Sequence, residues 1–144
     1  MATSVRDVMT GNPRSIGVSA SVAEAARLMR DGDIGSLPVT DGETPVGMIT
    51  DRDVTTRVVA EAADPQTTAV GDVASRDVIS VAPDDDLDEA LRLMARHQVR
   101  RLTVVENGRL VGIVAQADIA LRENETKTGQ LVEAISEPSA GDRS

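Results

Sequence analysis

Phenylalanine, tyrosine and tryptophan are all missing from the 144 residues. The core therefore has to be assembled from Val, Ile, Leu, Met and Ala. Any planar ring the protein binds must lie between aliphatic side chains, because no aromatic platform exists. Cysteine is absent as well, which removes disulfides and thiolate chemistry and leaves the redox compartment unreadable. His97 is the only histidine and has no second histidine or cysteine with which to build a zinc site. No apolar run approaches a membrane span, and the N-terminus lacks the charged-then-apolar plan of a signal peptide, so a cytoplasmic location is the default expectation and no membrane is expected.

Basic charge is also scarce. A net charge of −9 argues against a nucleic-acid binder, which carries a basic stripe and a high isoelectric point. Lys127 is the one lysine, so every other basic side chain is a guanidinium. Phosphate-binding P-loop, Gly-x-Ser-x-Gly elbow and cysteine nucleophile are all missing, which removes the common enzyme signatures. The acidic run Asp84, Asp85, Asp86, Asp88 and Glu89 lacks the glycine and final glutamate of a calcium loop, and reads as a helix start favoured by the helix dipole. No metal site is expected.

What the sequence does contain is a duplication. Sliding it by 65 residues lays Val5–Val58 on Val70–Glu123 without a gap. Val5, Asp7 and Val8 meet Val70, Asp72 and Val73. Glu24, Ala25, Arg27, Leu28 and Met29 meet Glu89, Ala90, Arg92, Leu93 and Met94. Leu37, Val39, Val46, Gly47 and Asp53 meet Leu102, Val104, Val111, Gly112 and Asp118. The organisation that follows is a first repeat over 5–58, a linker over 59–69, a second repeat over 70–123, and a C-terminal short helix with a frayed tail over 124–144.

Each repeat reads as β-α-β-β-α. Ser15–Val18 and Ser80–Pro83 are extended leads. The segments 21–31 and 86–97 carry apolar residues at helical spacing, each opened by a capping box, Ser21 with Glu24 and Asp86 with Glu89. Two short β-rich runs follow in each copy, with turn signals at Asp41-Gly42 and Asn107-Gly108. Helices are predicted after Thr50 and after Ala115. A unit of about 60 residues cannot bury its sheet face alone, so the expected α/β product is a pseudo-two-fold sandwich of two sheets flanked by helices, with a cleft where the repeats meet.

This order of elements, with the LPV strand and the Gly-Met-Ile-Thr-Asp-Arg-Asp segment at residues 47–53, resembles the CBS domain, which occurs as tandem pairs called Bateman modules. The resemblance covers Val5 to Arg122. It implies a non-catalytic regulatory module, a homodimer, with AMP, ADP, ATP or another adenosyl compound as regulatory ligand, no required cofactor, and a separate effector protein.

The segment at residues 47–53 looks like the ligand motif of that family. Thr50 at a helix start could donate its hydroxyl proton to a phosphate beside unpaired N–H groups, and Asp53 could accept from both ribose hydroxyls. Gly47 would let the nucleoside approach the backbone, and Met48 could flank the base. Thr50 and Asp53 equally read as a helix-capping pair, and one hydroxyl can serve both roles. In the second copy Asp118 is kept, but Ala115 stands where the hydroxyl should be, so unequal sites are expected with the first the better equipped. Arg100 and Arg101, where the first copy has Gly35 and Ser36, fall where the family often turns basic residues toward phosphates; Arg52 is a lesser candidate for that work. A ligand-free dimeric interaction protein that lost its pocket is the alternative left open by Ala115.

Overall fold

The computed structural model describes residues 3–76 and 78–124. The elements run β1 (Thr10–Gly11), β2 (Ile16–Gly17), α1 (Val22–Gly32), β3 (Ser36–Asp41), β4 (Thr44–Thr50), α2 (Asp51–Val54, continued by a π-helical turn Thr55–Val59), α3 (Val70–Val73), β5 (Ser80–Val81), α4 (Leu87–His97), β6 (Arg101–Glu106), β7 (Arg109–Ala115) and α5 (116–124). A 3-10 turn, Val5–Asp7, precedes β1. The C-terminal helix and tail predicted beyond residue 124 lie outside the described residues.

The duplication holds down to backbone detail. Both long helices end on a left-handed residue, Asp33 (φ 54°) and Gln98 (φ 55°), and both hairpins shift register at matched positions, Val39/Thr40 and Val104/Val105. The hairpins differ only in their turns. Gly42 alone has positive φ in the first, whereas Asn107 and Gly108 both do in the second, the dihedral signs of II′ and I′ turns that match strand twist.

Two cores result. Leu37, Val39 and Ile49 of β3 and β4 pack on Val22, Ala25 and Met29 of α1; Leu102, Val104 and Val114 of β6 and β7 pack on Leu87, Ala90 and Met94 of α4. These are the apolar positions that recur at three- and four-residue spacing in the helices and at alternate positions in the strands.

The helix starts depart from the sequence expectation. Ser21 accepts the Glu24 N–H at 3.2 Å, but the rest of the work is done by the linker, whose Pro65 and Thr68 carbonyls accept the N–H groups of Ala23 (2.9 Å) and Val22 (3.0 Å). The predicted box at Asp86 does not form: the Asp86 side chain caps nothing, and its backbone is bridged to Ser4 instead. The π turn after α2 was not visible either. Thr55 and Thr56 bond back to the carbonyls of Asp51 and Arg52, at 3.0 and 2.8 Å, a local competition that loosens helices.

The lead-in segments cross. Strand β1, in the opening segment (lead-in) of the first repeat, pairs with β7 of the second, giving a sheet ordered β1-β7-β6-β5. Reciprocally, Ser75 in the lead-in of the second repeat bridges Met48 on β4, each N–H donating to the other's carbonyl at 2.9 Å. Val5 is fully buried in the second core, and Val70, Val73 and Ala74 complete the first. Each repeat's fold is thus finished by the other's lead-in.

Candidate functional site

The crossing explains the two matched glycines. A Cβ on Gly47 would overlap the Ser75 carbonyl oxygen, and one on Gly112 would sit 2.7 Å from the Met9 sulfur and 3.0 Å from the Thr10 carbonyl. Side chains do not tolerate such approaches, so glycine is required here by the neighbouring chain. Gly47, expected to make room for a ligand, makes room for Ser75.

The two lead-ins each border a cavity, and the first of these lies between the repeats. One, of about 490 Å3, is bounded by the first lead-in (Thr10, Arg14), by Met48 and Ile113 on facing strands, and by Arg101 and Asp118 of the second repeat. The other, of about 510 Å3, is lined by Ser75, Arg76, Val78, Ile79, His97 and Val99. Four of those residues are the counterparts of Thr10, Pro13, Arg14 and Ile34, so the second cavity repeats the lead-in side of the first, but none of its described lining comes from the first repeat. Both fall in the volume range of small-ligand sites.

The two motifs have different electrostatic fates. At the first, Thr50 accepts the Asp53 N–H at 3.1 Å while its own N–H donates to an Asp53 carboxylate oxygen at 2.9 Å, a closed capping box. The other carboxylate oxygen of Asp53 lies 3.9 Å from the Arg57 guanidinium, which also donates to the Val73 carbonyl at 3.0 Å. Asp53 is therefore already committed, and only the Thr50 hydroxyl proton is unspent. Replacing Thr50 by Ala should lower folding stability by about 1 kcal/mol with or without nucleotide, read by thermal unfolding.

At the second motif Ala115 offers no hydroxyl, no box forms, and the half-buried Asp118 carboxylate has no hydrogen bond or ion pair among the described residues. The sequence ranked the first motif above the second. In the folded chain it is the second whose aspartate lines a cavity free of partners, because the missing cap leaves it unbound.

Of the other candidates, Met48 and Arg101 line the same cavity as Asp118, whereas Thr50, Asp53, Arg52 and Arg100 line neither. Arg100 contributes its backbone carbonyl, which accepts the Gln116 N–H at 2.8 Å. Arg14 and Thr10 were missed. The Gly-Asn-Pro-Arg turn at residues 11–14 was their only signal in the sequence, and nothing in it says which repeat the turn joins. Nearby, the Asp31 carboxyl is held below the ordinary carboxylate range, chiefly by the hydrogen bond from Arg30 and more weakly by the charges of Arg14 and Arg27.

The family model for the CBS domain matches residues 5–60 and again 70–124. The chain belongs to the CBS-domain family. Among relatives of this CBS pair, Hypoxic response protein 1 of Mycobacterium tuberculosis is 39% identical over 139 residues, 96% of this chain and 97% of that protein. The crystal structure of Hypoxic Response Protein I with two coordinated zinc ions superposes with a TM-score of 0.76 at 38% identity, over 83% of this chain and 98% of that one. The CBS domain pair of MJ0100, solved in complex with 5′-methylthioadenosine and S-adenosyl-L-methionine, superposes with a TM-score of 0.75 at 26% identity, over 88% and 99%. The zinc ions belong to the former structure. This CBS pair has no cysteine and one histidine, and among its described residues no three His, Asp or Glu side chains converge as a metal site would need.

Proposed function

We propose that this CBS pair is a non-catalytic regulatory module that takes an adenine nucleotide or related adenosyl compound in the cleft between its repeats and acts, as a homodimer, on a separate effector protein. The observation that carries this reading is the unpaired Asp118 carboxylate in a cavity whose other walls include Met48 and Ile113. A carboxylate accepts two hydroxyl protons at once, which suits a ribose, and two aliphatic walls suit a purine where no aromatic exists. Thr50 and Asp53, the counterparts of Ala115 and Asp118, line neither cavity and enter the same reading through the Thr50 hydroxyl proton, the one group there not spent in the capping box; Gly47, Arg52 and Arg100 are the remaining candidates of that region. Exposed Val59 and Leu121, 69% and 59% accessible, are apolar surface that a second copy would cover. Among the described residues no helix is long and apolar enough to cross a membrane. Binding acts on a partner only if the ligand favours one arrangement of the repeats over another.

The lack of Trp and Tyr makes the first test simple: the purified protein is nearly transparent at 280 nm, so a carried nucleotide stands out near 260 nm and can be identified by mass spectrometry after denaturation. Calorimetric titration with AMP should then show binding that Asp118→Ala weakens about 10- to 100-fold, the scale of hydrogen bonds to a charged group. Unchanged affinity in Asp118→Ala would remove this cleft from the reading. A clean spectrum followed by flat titrations with AMP, ADP and ATP would favour a ligand-free interaction protein, the second reading that Ala115 supports.

A further inference from the structure

The first lead-in belongs to the first repeat by chain order and to the second by contact. Among the described residues, every hydrogen bond, strand pairing and ion pair that residues 3–11 make beyond themselves goes to the second repeat. The Val5 and Arg6 N–H groups donate to the Asp85 and Pro83 carbonyls at 2.8 Å, and the Thr3 carbonyl accepts the Leu87 N–H at 3.2 Å. Arg6 pairs with Asp84 and Glu106, and Val8 and Met9 pack against the second core that contains Val5. The second lead-in differs. It packs on the first repeat, and the linker that precedes it is tied to that same repeat at the start of α1. Only the first lead-in is separated from the core it completes by an entire repeat.

Residues 12–15 join this lead-in to β2, and the turn there is strained. Asn12 has φ 48°, in the left-handed region, and the next residue is Pro13. Asparagine visits that region more readily than other residues with a side chain, but the ring of a following proline pushes its predecessor toward extended backbone. The turn brings Thr10 and Gly11 back onto β7 of the same chain. A second copy offers the same β7 edge, the same buried place for Val5 and the same carbonyls. A lead-in that reaches across with Asn12 extended remakes every bond and releases the strain of the turn.

We propose that the strained Asn12–Pro13 hinge drives the first lead-in to swap between two copies of the chain, so that each second core is completed by the other copy's Val5 and each β7 is paired by the other copy's β1. The inference rests on the homodimer of the proposed function and says what joins its two chains. It also makes the cleft composite: Thr10 of β1 lines the cavity that holds Asp118, so that wall comes from the second copy. Association costs entropy, so the swapped dimer forms by mass action as concentration rises.

The absence of cysteine makes a swap directly readable. Thr10 and Ile113 face each other across β1 and β7, a spacing that a disulfide fits. Full-length Thr10→Cys and Ile113→Cys chains are unfolded together, refolded and oxidised, and the products are weighed by mass spectrometry without reductant. The expected product is a covalent pair with one chain of each kind, well above the background given by Ser19→Cys, an exposed position outside this pairing, in place of Ile113→Cys. Sedimentation of the wild type should show a dimer, and Asn12→Gly, which relieves the turn, should weaken that dimer about 10-fold. A disulfide that closes only within single chains of the Thr10→Cys/Ile113→Cys double variant, with no mixed pair, overturns the swap. The homodimer reading then stands if the wild type still sediments as a dimer and falls with the swap if it sediments as a monomer. An Asn12→Gly dimer as tight as that of the wild type overturns the hinge as the driving element.

Discussion

Gly47→Val should lower the thermal midpoint by about 10 °C, the equivalent of about 3 kcal/mol for a chain of this size. The valine Cβ would land on the Ser75 carbonyl, which accepts the Met48 N–H at 2.9 Å while the Ser75 N–H donates to the Met48 carbonyl at 2.9 Å. Backbone cannot step aside as the end of a flexible side chain can, so either the bridge breaks or β4 is displaced. Ser75 and Met48 would then lose their paired N–H and carbonyl groups in a half-buried place, which adds to the overlap. Gly11→Ala is the control: nothing lies within 4 Å of a Cβ there, and the midpoint should move by no more than the usual surface substitution. Far-ultraviolet circular dichroism is the measurement, since the chain has no aromatic side chain to follow by fluorescence. A midpoint unchanged in Gly47→Val would mean that the second lead-in does not cross the first repeat.

Val5→Asp should destabilise the chain by about 3–5 kcal/mol, and the damage should appear in the repeat that does not contain residue 5 by sequence. Val5 is fully buried among Leu87, Ala90 and Val104, so a carboxylate there has neither water nor a partner. Hydrogen exchange should report lost protection in α4 and β6, with α1 and β3 retaining theirs. Val70→Asp should do the reverse, because Val70 sits in the first core. Should Val5→Asp unfold the chain outright, Val5→Ala, at about 2 kcal/mol, keeps the same comparison measurable. Lost protection in α1 and β3 after Val5→Asp would refute the exchange of lead-ins.

These two predictions mark the boundary of what the amino-acid order conveys. The duplication, the β-α-β-β-α order, the amphipathic helices and the turn residues are local patterns, and periodicity with turn chemistry reports them directly. The aligned glycines at 47 and 112 were also plain as a matched pair. Their cause was not, since it lies in Ser75, Met9 and Thr10, which approach from segments distant in the chain. Likewise Asp53 and Asp118 were legible as equivalent aspartates, but not that one would be locked into a capping box and the other left unpaired beside a cavity.

The amino-acid sequence by itself determined the fold class, the repeat, the aliphatic core and the absence of thiol and aromatic chemistry, because each follows from composition or from contacts a few residues apart. Tertiary structure decided which lead-in completes which core, why the glycines are needed, and that Arg14 and Arg101 share a cleft with Asp118. Two repeats of the same fold offer each lead-in two similar edges, and local pattern cannot choose between them. Only the packing of the complete chain, with Val5 under α4 and Val70 under α1, makes that choice.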